Sequence, residues 1–169
     1  MNRWKPNSTV ATVVERINNS NEQNEREFLF VHEVRDGKKV YNQPAGHLDE
    51  GESLVNAAIR ETREETGWDV EVTSLVGIYR FIGNNGVTYM RHVFAATPIK
   101  YYPEQTLDDG IIEAVWMNYK DILNHIDLTR SPMVKSALDD YLKGEAYPLG
   151  LLHEPNITCP KEDQENKVI

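Results

Sequence analysis

Residues 46–68 read GHLDEGESLVNAAIRETREETGW. Three glutamates, Glu61, Glu64 and Glu65, close the stretch, with Arg60 and Arg63 set among them. Ser53 has the chemistry of an N-cap and Gly67 that of a residue just past a helix end, so the pattern predicts a helix over Leu54–Thr66 behind a loop at 46–51. On a 3.6-residue helix, positions i, i+3 and i+4 share a face, which puts Glu61, Glu64 and Glu65 on one stripe with Ala57. Leu54, Val55, Ala58, Ile59 and Thr62 fill the neighbouring arc, so the carboxylates border the face that packs on the rest of the protein. Like charges so placed repel, and partial burial raises the cost. Two compensations are open. Arg60 can pair with Glu64 at i,i+4 on a solvated acidic face, or a hard divalent cation such as Mg²⁺ can take the carboxylate oxygens and keep waters and substrate phosphates as its other ligands.

Outward from the helix the chain is mostly strand. Residues 8–17 and 26–34 are rich in β-branched and apolar residues and predict a hairpin or adjacent strands across NNSNEQNE. Arg35-Asp36-Gly37 supplies a turn before a short strand that Pro44 stops. Beyond the helix, 68–82 and 86–99 flank the turn GNNG, and 111–118 forms a further strand. The intervening loop, 100–110, carries Glu104, Asp108 and Asp109. Residues 119–126 and 131–144 predict helices, the second with Pro132 at its first position behind Ser131 and Gly144 at its end. One helix among many strands, with helices at the end, predicts an α+β fold with a mixed sheet. The polar segment 154–169 is read as a mobile tail outside a single domain, 1–153.

At 169 residues the chain is long enough to bury a core without disulfides, and Cys159, its one cysteine, cannot form an intrachain bridge. The net charge of −9, with no basic stripe, argues against a nucleic acid polymer as partner. No apolar run approaches the ~20 residues of a membrane span. The start MNRWKPNSTVATVV lacks a secretion-signal core, so the expected location is the cytoplasm. An acidic protein can still act on anionic small molecules when cations sit between its carboxylates and their phosphates.

The spacing of Gly46, Glu52, Arg60-Glu61, Glu64-Glu65 and Gly67 resembles the Nudix box of the Nudix hydrolases. Thr62 and Trp68 stand where that family usually has an aliphatic residue. YNQPAGHL and RSPMVKSALDDYLKGEAYPL further resemble the NudJ-type phosphatase branch. The resemblance implies an αβα sandwich around a mixed sheet, with a Nudix loop-helix and C-terminal helices. It implies Mg²⁺, with Mn²⁺ as a substitute, held by Glu61, Glu64, Glu65 and the Gly46 carbonyl, and a catalytic set of Glu61, Glu65, Arg60 and Glu52. Glu52 and Arg60 would brace the carboxylates. The general base stays open among Glu61 and Glu65 in the box and Asp109 or Glu113 outside it. Arg91 and Arg80 are the candidates for binding substrate phosphate, weighed against ordinary surface arginines, with Arg130 ranked below them. His47 reads as a solvent-facing loop residue, and Tyr41, Tyr79, Phe81 and Tyr89 as core. The implied partners are small phosphorylated metabolites: nucleoside di- and triphosphates, and small pyrophosphates such as hydroxymethylpyrimidine pyrophosphate or thiamine pyrophosphate. Alternatives are a Nudix hydrolase for ADP-ribose, dinucleoside polyphosphates or an oxidised nucleotide, and a nucleotide-binding domain without turnover. The expected assembly is a monomer or homodimer.

Overall fold

The strand β1 (Asn7–Asn18) organises the molecule, and the reason is its alternating side chains. Val10, Thr12 and Val14 point to one face of the sheet and Ala11 and Val13 to the other, all buried. A strand that is apolar on both faces needs a layer on each side. The computed structural model describes residues 4–19 and 24–155. Along it follow β2 (Glu25–Arg35), β3 (Lys38–Asn42), β4 (Ala45–His47), α1 (Leu54–Thr66), β5 (Trp68–Ile82), β6 (Thr88–Tyr101), β7 (Ile111–Asn118), α2 (Tyr119–Asn124) and α3 (Pro132–Leu142). The seven strands run in the order β3-β2-β1-β6-β5, with β4 added to β1 and β7 to β2. The β1–β6 pair is parallel and the other pairs are antiparallel, so the sheet is mixed, as expected.

On one side, Val10, Val14, Leu29 and Phe94 pack with Ala57 and Ala58 of α1. On the other, Ala11, Val13, Phe28, Phe30 and Val93 pack with Val134, Ala137 and Leu138 of α3 and Ile122 of α2. Consecutive residues of β1, β2 and β6 thus serve opposite layers, and the sandwich is αβα.

The helix α1 has the predicted bounds because its signals are local. Ser53 Oγ accepts a hydrogen bond from the Asn56 N–H at 3.1 Å, and Gly67 ends the helix at φ 72°, where a Cβ would be strained. Three expectations change in detail. Residues 45–47 pair with Thr9–Ala11 as β4, so the loop predicted at 46–51 opens as a strand. β6 continues to Tyr101, which shortens the loop after it. The helix expected over 119–126 ends at Asn124, and Ile126–Leu128 forms a separate 3-10 turn. Of the predicted tail, 156–169 lies outside the described residues, while Glu154 accepts a hydrogen bond from the Leu54 N–H at the start of α1.

Thr62, one of the two departures from the box pattern, is fully buried. Its hydroxyl donates to the Ala58 carbonyl and meets the Thr12 hydroxyl at 2.7 Å, joining α1 to β1. Thr62→Val leaves the Thr12 hydroxyl buried without its partner and is expected to cost about 1–3 kcal/mol, whereas adding Thr12→Val should restore most of that loss. Urea unfolding of the single and double variants checks this, and a Thr62→Val midpoint equal to wild type would refute it.

Candidate active site

The site is built where β4 runs under the middle of α1. Glu61 is 8% exposed, and its carboxylate lies so close over Gly46 that a Cβ there would sit 2.0 Å from it. Only glycine fits beneath that carboxylate. One turn on, Glu65 points into the sandwich, where its Oε2 accepts the Ala45 N–H at 2.8 Å. Adjacent backbone groups of β4 therefore set two glutamates of the stripe.

Arg60 provides the counter-charge. Its Nε and Nη2 grip both oxygens of Glu52 at 2.9 Å, and Nη1 reaches Glu61 and Glu64, each at 2.9 Å. Nη2 also donates to the His47 carbonyl. Both compensations read from the sequence thus involve the same atoms: the arginine satisfies the pair that a cation would occupy.

A third carboxylate joins from the loop between β6 and β7. Asp108 has an oxygen within 4.8 Å of oxygens from Glu61 and Glu64, three hard ligands suited to a divalent cation. Burial raises the Glu61 pKa above its usual value, with the charges of Glu64 and Asp108 adding to the shift and Arg60 opposing it. Desolvation and Glu64 likewise raise Asp108. Among the bases considered outside the box, Asp109 is exposed and Glu113 faces His32 on the sheet at 3.4 Å.

Behind Glu65 lies a buried charge network. Glu33, 5% exposed, receives both oxygens' contacts from Arg130 Nη1 at 3.0 and 3.3 Å. Arg91 is 4% exposed, and its Nη2 donates to Asn42 Oδ1 and Gln43 Oε1 at 3.2 and 3.3 Å, while its Nε is buried without a partner. Arg91 is therefore an interior residue that anchors the segment leading into β4, and not the surface arginine weighed from the sequence. Arg80 is exposed on β5. Glu33 was legible only as parity: Leu29, Val31 and Glu33 follow one another on one face of β2.

Burial pushes the Glu65 carboxyl up to about 8, with Glu33 and Glu61 raising it further and the Ala45 N–H and Arg130 opposing. The folded chain holds this proton through a window, from 4.5 to about 8, in which the unfolded chain has released it. The metal-free protein should therefore lose stability as pH rises through that window. Glu52, Glu15 and Glu27 are held below 4.5 and act at lower pH, where their stabilisation is lost as they protonate. Thermal melts in EDTA should fall between pH 5 and 8, and Glu65→Gln should flatten the slope; an unchanged slope in that variant would contradict the assignment.

A sequence model of the NUDIX domain matches residues 8–136. The chain belongs to the Nudix hydrolase family. This Nudix hydrolase is 35% identical to the phosphatase NudJ of Escherichia coli strain K12 over 153 residues, covering 90% of this chain and 94% of the relative. Its backbone is similar to a NUDIX hydrolase from Nitrosomonas europaea, with a TM-score of 0.84 and 36% identity over 91% of this chain and all of that one. The NUDIX domain of Shewanella oneidensis NrtR, solved with ADP ribose, shares the fold at a TM-score of 0.62 and 14% identity, covering 84% of this chain and 90% of that one. Nudix hydrolases generally use divalent metals, and the Glu61–Glu64–Asp108 cluster with its glycine cradle is a donor set that fits one.

Proposed function

We propose that this Nudix hydrolase is a Mg²⁺-dependent phosphatase of broad specificity. It cleaves phosphoanhydride bonds of nucleoside di- and triphosphates and of small pyrophosphates, hydroxymethylpyrimidine pyrophosphate among them, by attack of water on phosphorus. The observation that carries the reading is the convergence of Glu61, Glu64 and Asp108 within 4.8 Å, over a Gly46 that leaves room for nothing but the Glu61 carboxylate. The NudJ relatives support the phosphatase class.

Glu61, Glu64 and Asp108 would hold the ion. When bound, the ion neutralises the phosphate oxygens and makes a water more acidic. Arg60, fixed by Glu52, holds Glu61 and Glu64 in register and limits their mutual repulsion. Glu65, whose carboxyl burial pushes up to about 8 in the metal-free protein, would accept the proton of the attacking water in its ionised form. Among the described residues no helix is long and apolar enough to cross a membrane.

The test is a screen of orthophosphate release over nucleotides, nucleotide sugars, dinucleoside polyphosphates and thiamine-pathway pyrophosphates, with Mg²⁺ and with excess EDTA. Several nucleotides and small pyrophosphates should react with kcat/KM values within about two orders of magnitude of one another, because apolar contacts separate close analogues by only ~1–3 kcal/mol. Turnover that persists in EDTA would overturn the metal dependence. A single substrate preferred by more than ~10⁴-fold would overturn the broad specificity.

A further inference from the structure

Arg63 lies within the helix between residues of the carboxylate stripe but points away from it. Its Nε donates to Gln105 Oε1 at 3.2 Å, its Nη1 pairs with Asp69, and its guanidinium carbon sits 3.5 Å from the centre of the Tyr102 ring. Every one of these contacts falls on the strand after α1 or on the loop between β6 and β7. Backbone bonds continue the seam: the Tyr102 N–H donates to the Gly67 carbonyl at 2.9 Å, and the Asp108 N–H to the Glu64 carbonyl at 3.2 Å. The loop that carries Asp108 is thus fastened along the last turn of α1, with Arg63 as its side-chain clasp.

We propose that Arg63 is a positioning residue for the ion site, holding Asp108 opposite Glu61 and Glu64 by clamping the 102–110 loop to α1. The inference rests on the proposed role of Asp108 as an ion ligand. Arginine suits the task because a planar fork can hydrogen-bond Gln105 and Asp69 while its face covers Tyr102; a lysine would supply charge without that geometry. The sign of its effect separates positioning from plain electrostatics. Removing a positive charge near a cation site should by Coulomb's law strengthen cation binding. Loss of the clamp should weaken it, because Asp108 would no longer be held in place.

Mn²⁺ titrations of the full-length protein, followed by the electron paramagnetic resonance signal of the free ion, read this directly. Arg63→Met is expected to weaken Mn²⁺ binding about tenfold, the size typical of lost outer-shell support, with Arg63→Lys between it and wild type. Excess Mg²⁺ should restore kcat in Arg63→Met, which a misfolded protein would not allow. Asp108→Asn should bind weakly as well, and Arg63→Met added to it should weaken binding no further, because the clamp acts only through that ligand. Gln105→Ala, on the loop side, should shift affinity in the same direction by less and serves if Arg63→Met fails to fold. Wild-type or tighter Mn²⁺ binding in Arg63→Met beside a weakened Asp108→Asn would overturn the clamp alone, as would a further loss in the double variant. Wild-type binding in Asp108→Asn would overturn the ion-site assignment together with the clamp built on it.

Discussion

Glu64→Gln is expected to lower kcat by at least ~10²-fold with the fold intact, because it removes the charge of one proposed ion ligand while keeping its shape. Glu64 is the most exposed of the three helix glutamates, so little packing is disturbed. Arg60 Nη1 keeps its bond to Glu61, and its grip on Glu52 is untouched. Glu61→Gln should fall at least as far, since that side chain is also buried and rests over Gly46. Glu65→Gln should lose activity by a comparable factor for a different reason: the amide cannot accept the proton from the attacking water. Steady-state kinetics across a Mg²⁺ series distinguishes the variants. The two ligand variants should recover partly at high Mg²⁺, whereas Glu65→Gln should not. Wild-type rates in Glu64→Gln would remove that residue from the site.

Gly46→Ala is the second large effect, and it separates function from stability. The added methyl would lie 2.0 Å from the Glu61 carboxylate, closer than any real contact, so one of the two must move. The colliding group is the end of a flexible side chain, and β4 continues on both sides of Gly46, so the carboxylate gives way and not the strand. The melting temperature of the metal-free protein should therefore shift by only a few degrees, as for a change of about 1 kcal/mol or less. Activity should drop by about 10²-fold, because displacement of about an ångström in a ligand is enough to spoil the geometry of the site. Calorimetry and a rate measurement on one preparation decide it. Unfolding without a specific activity defect would show that the glycine serves the strand and not the carboxylate.

What the sequence revealed, and what it hid, divides by distance along the chain. The bounds of α1 follow from Ser53 and Gly67, which act on neighbouring backbone, so they could be read directly. Asp108 was visible only as one of several acidic residues in a loop. Its place beside Glu64 depends on a backbone bond between those two residues, and no local spacing encodes such a bond. Glu113, which with Asp109 was the base candidate outside the box, is placed opposite His32 on the sheet by the β2–β7 pairing. The orientation of Arg91 was likewise open, since a strand residue faces inward or outward according to layers that other segments supply. Thr62 departs from the aliphatic pattern of its family, yet it is fully buried, because Thr12 on β1 supplies the matching hydroxyl.

The pairing of β1 with β6 has a consequence for how the chain reaches this state. Asn7–Val14 aligns in parallel with Tyr89–Ala96, so β1 finds its central neighbour only after β2 to β5 have been made. Closing so long a connection has an entropic cost that local hairpins avoid, and contacts far apart in sequence slow folding. The β1–β2 hairpin can form early, but the β1 edge that later receives β6 stays open during synthesis, rich in Val and Thr and ready to pair with another chain. Refolding should accordingly be slow for the size of the domain, and its yield should fall as protein concentration rises.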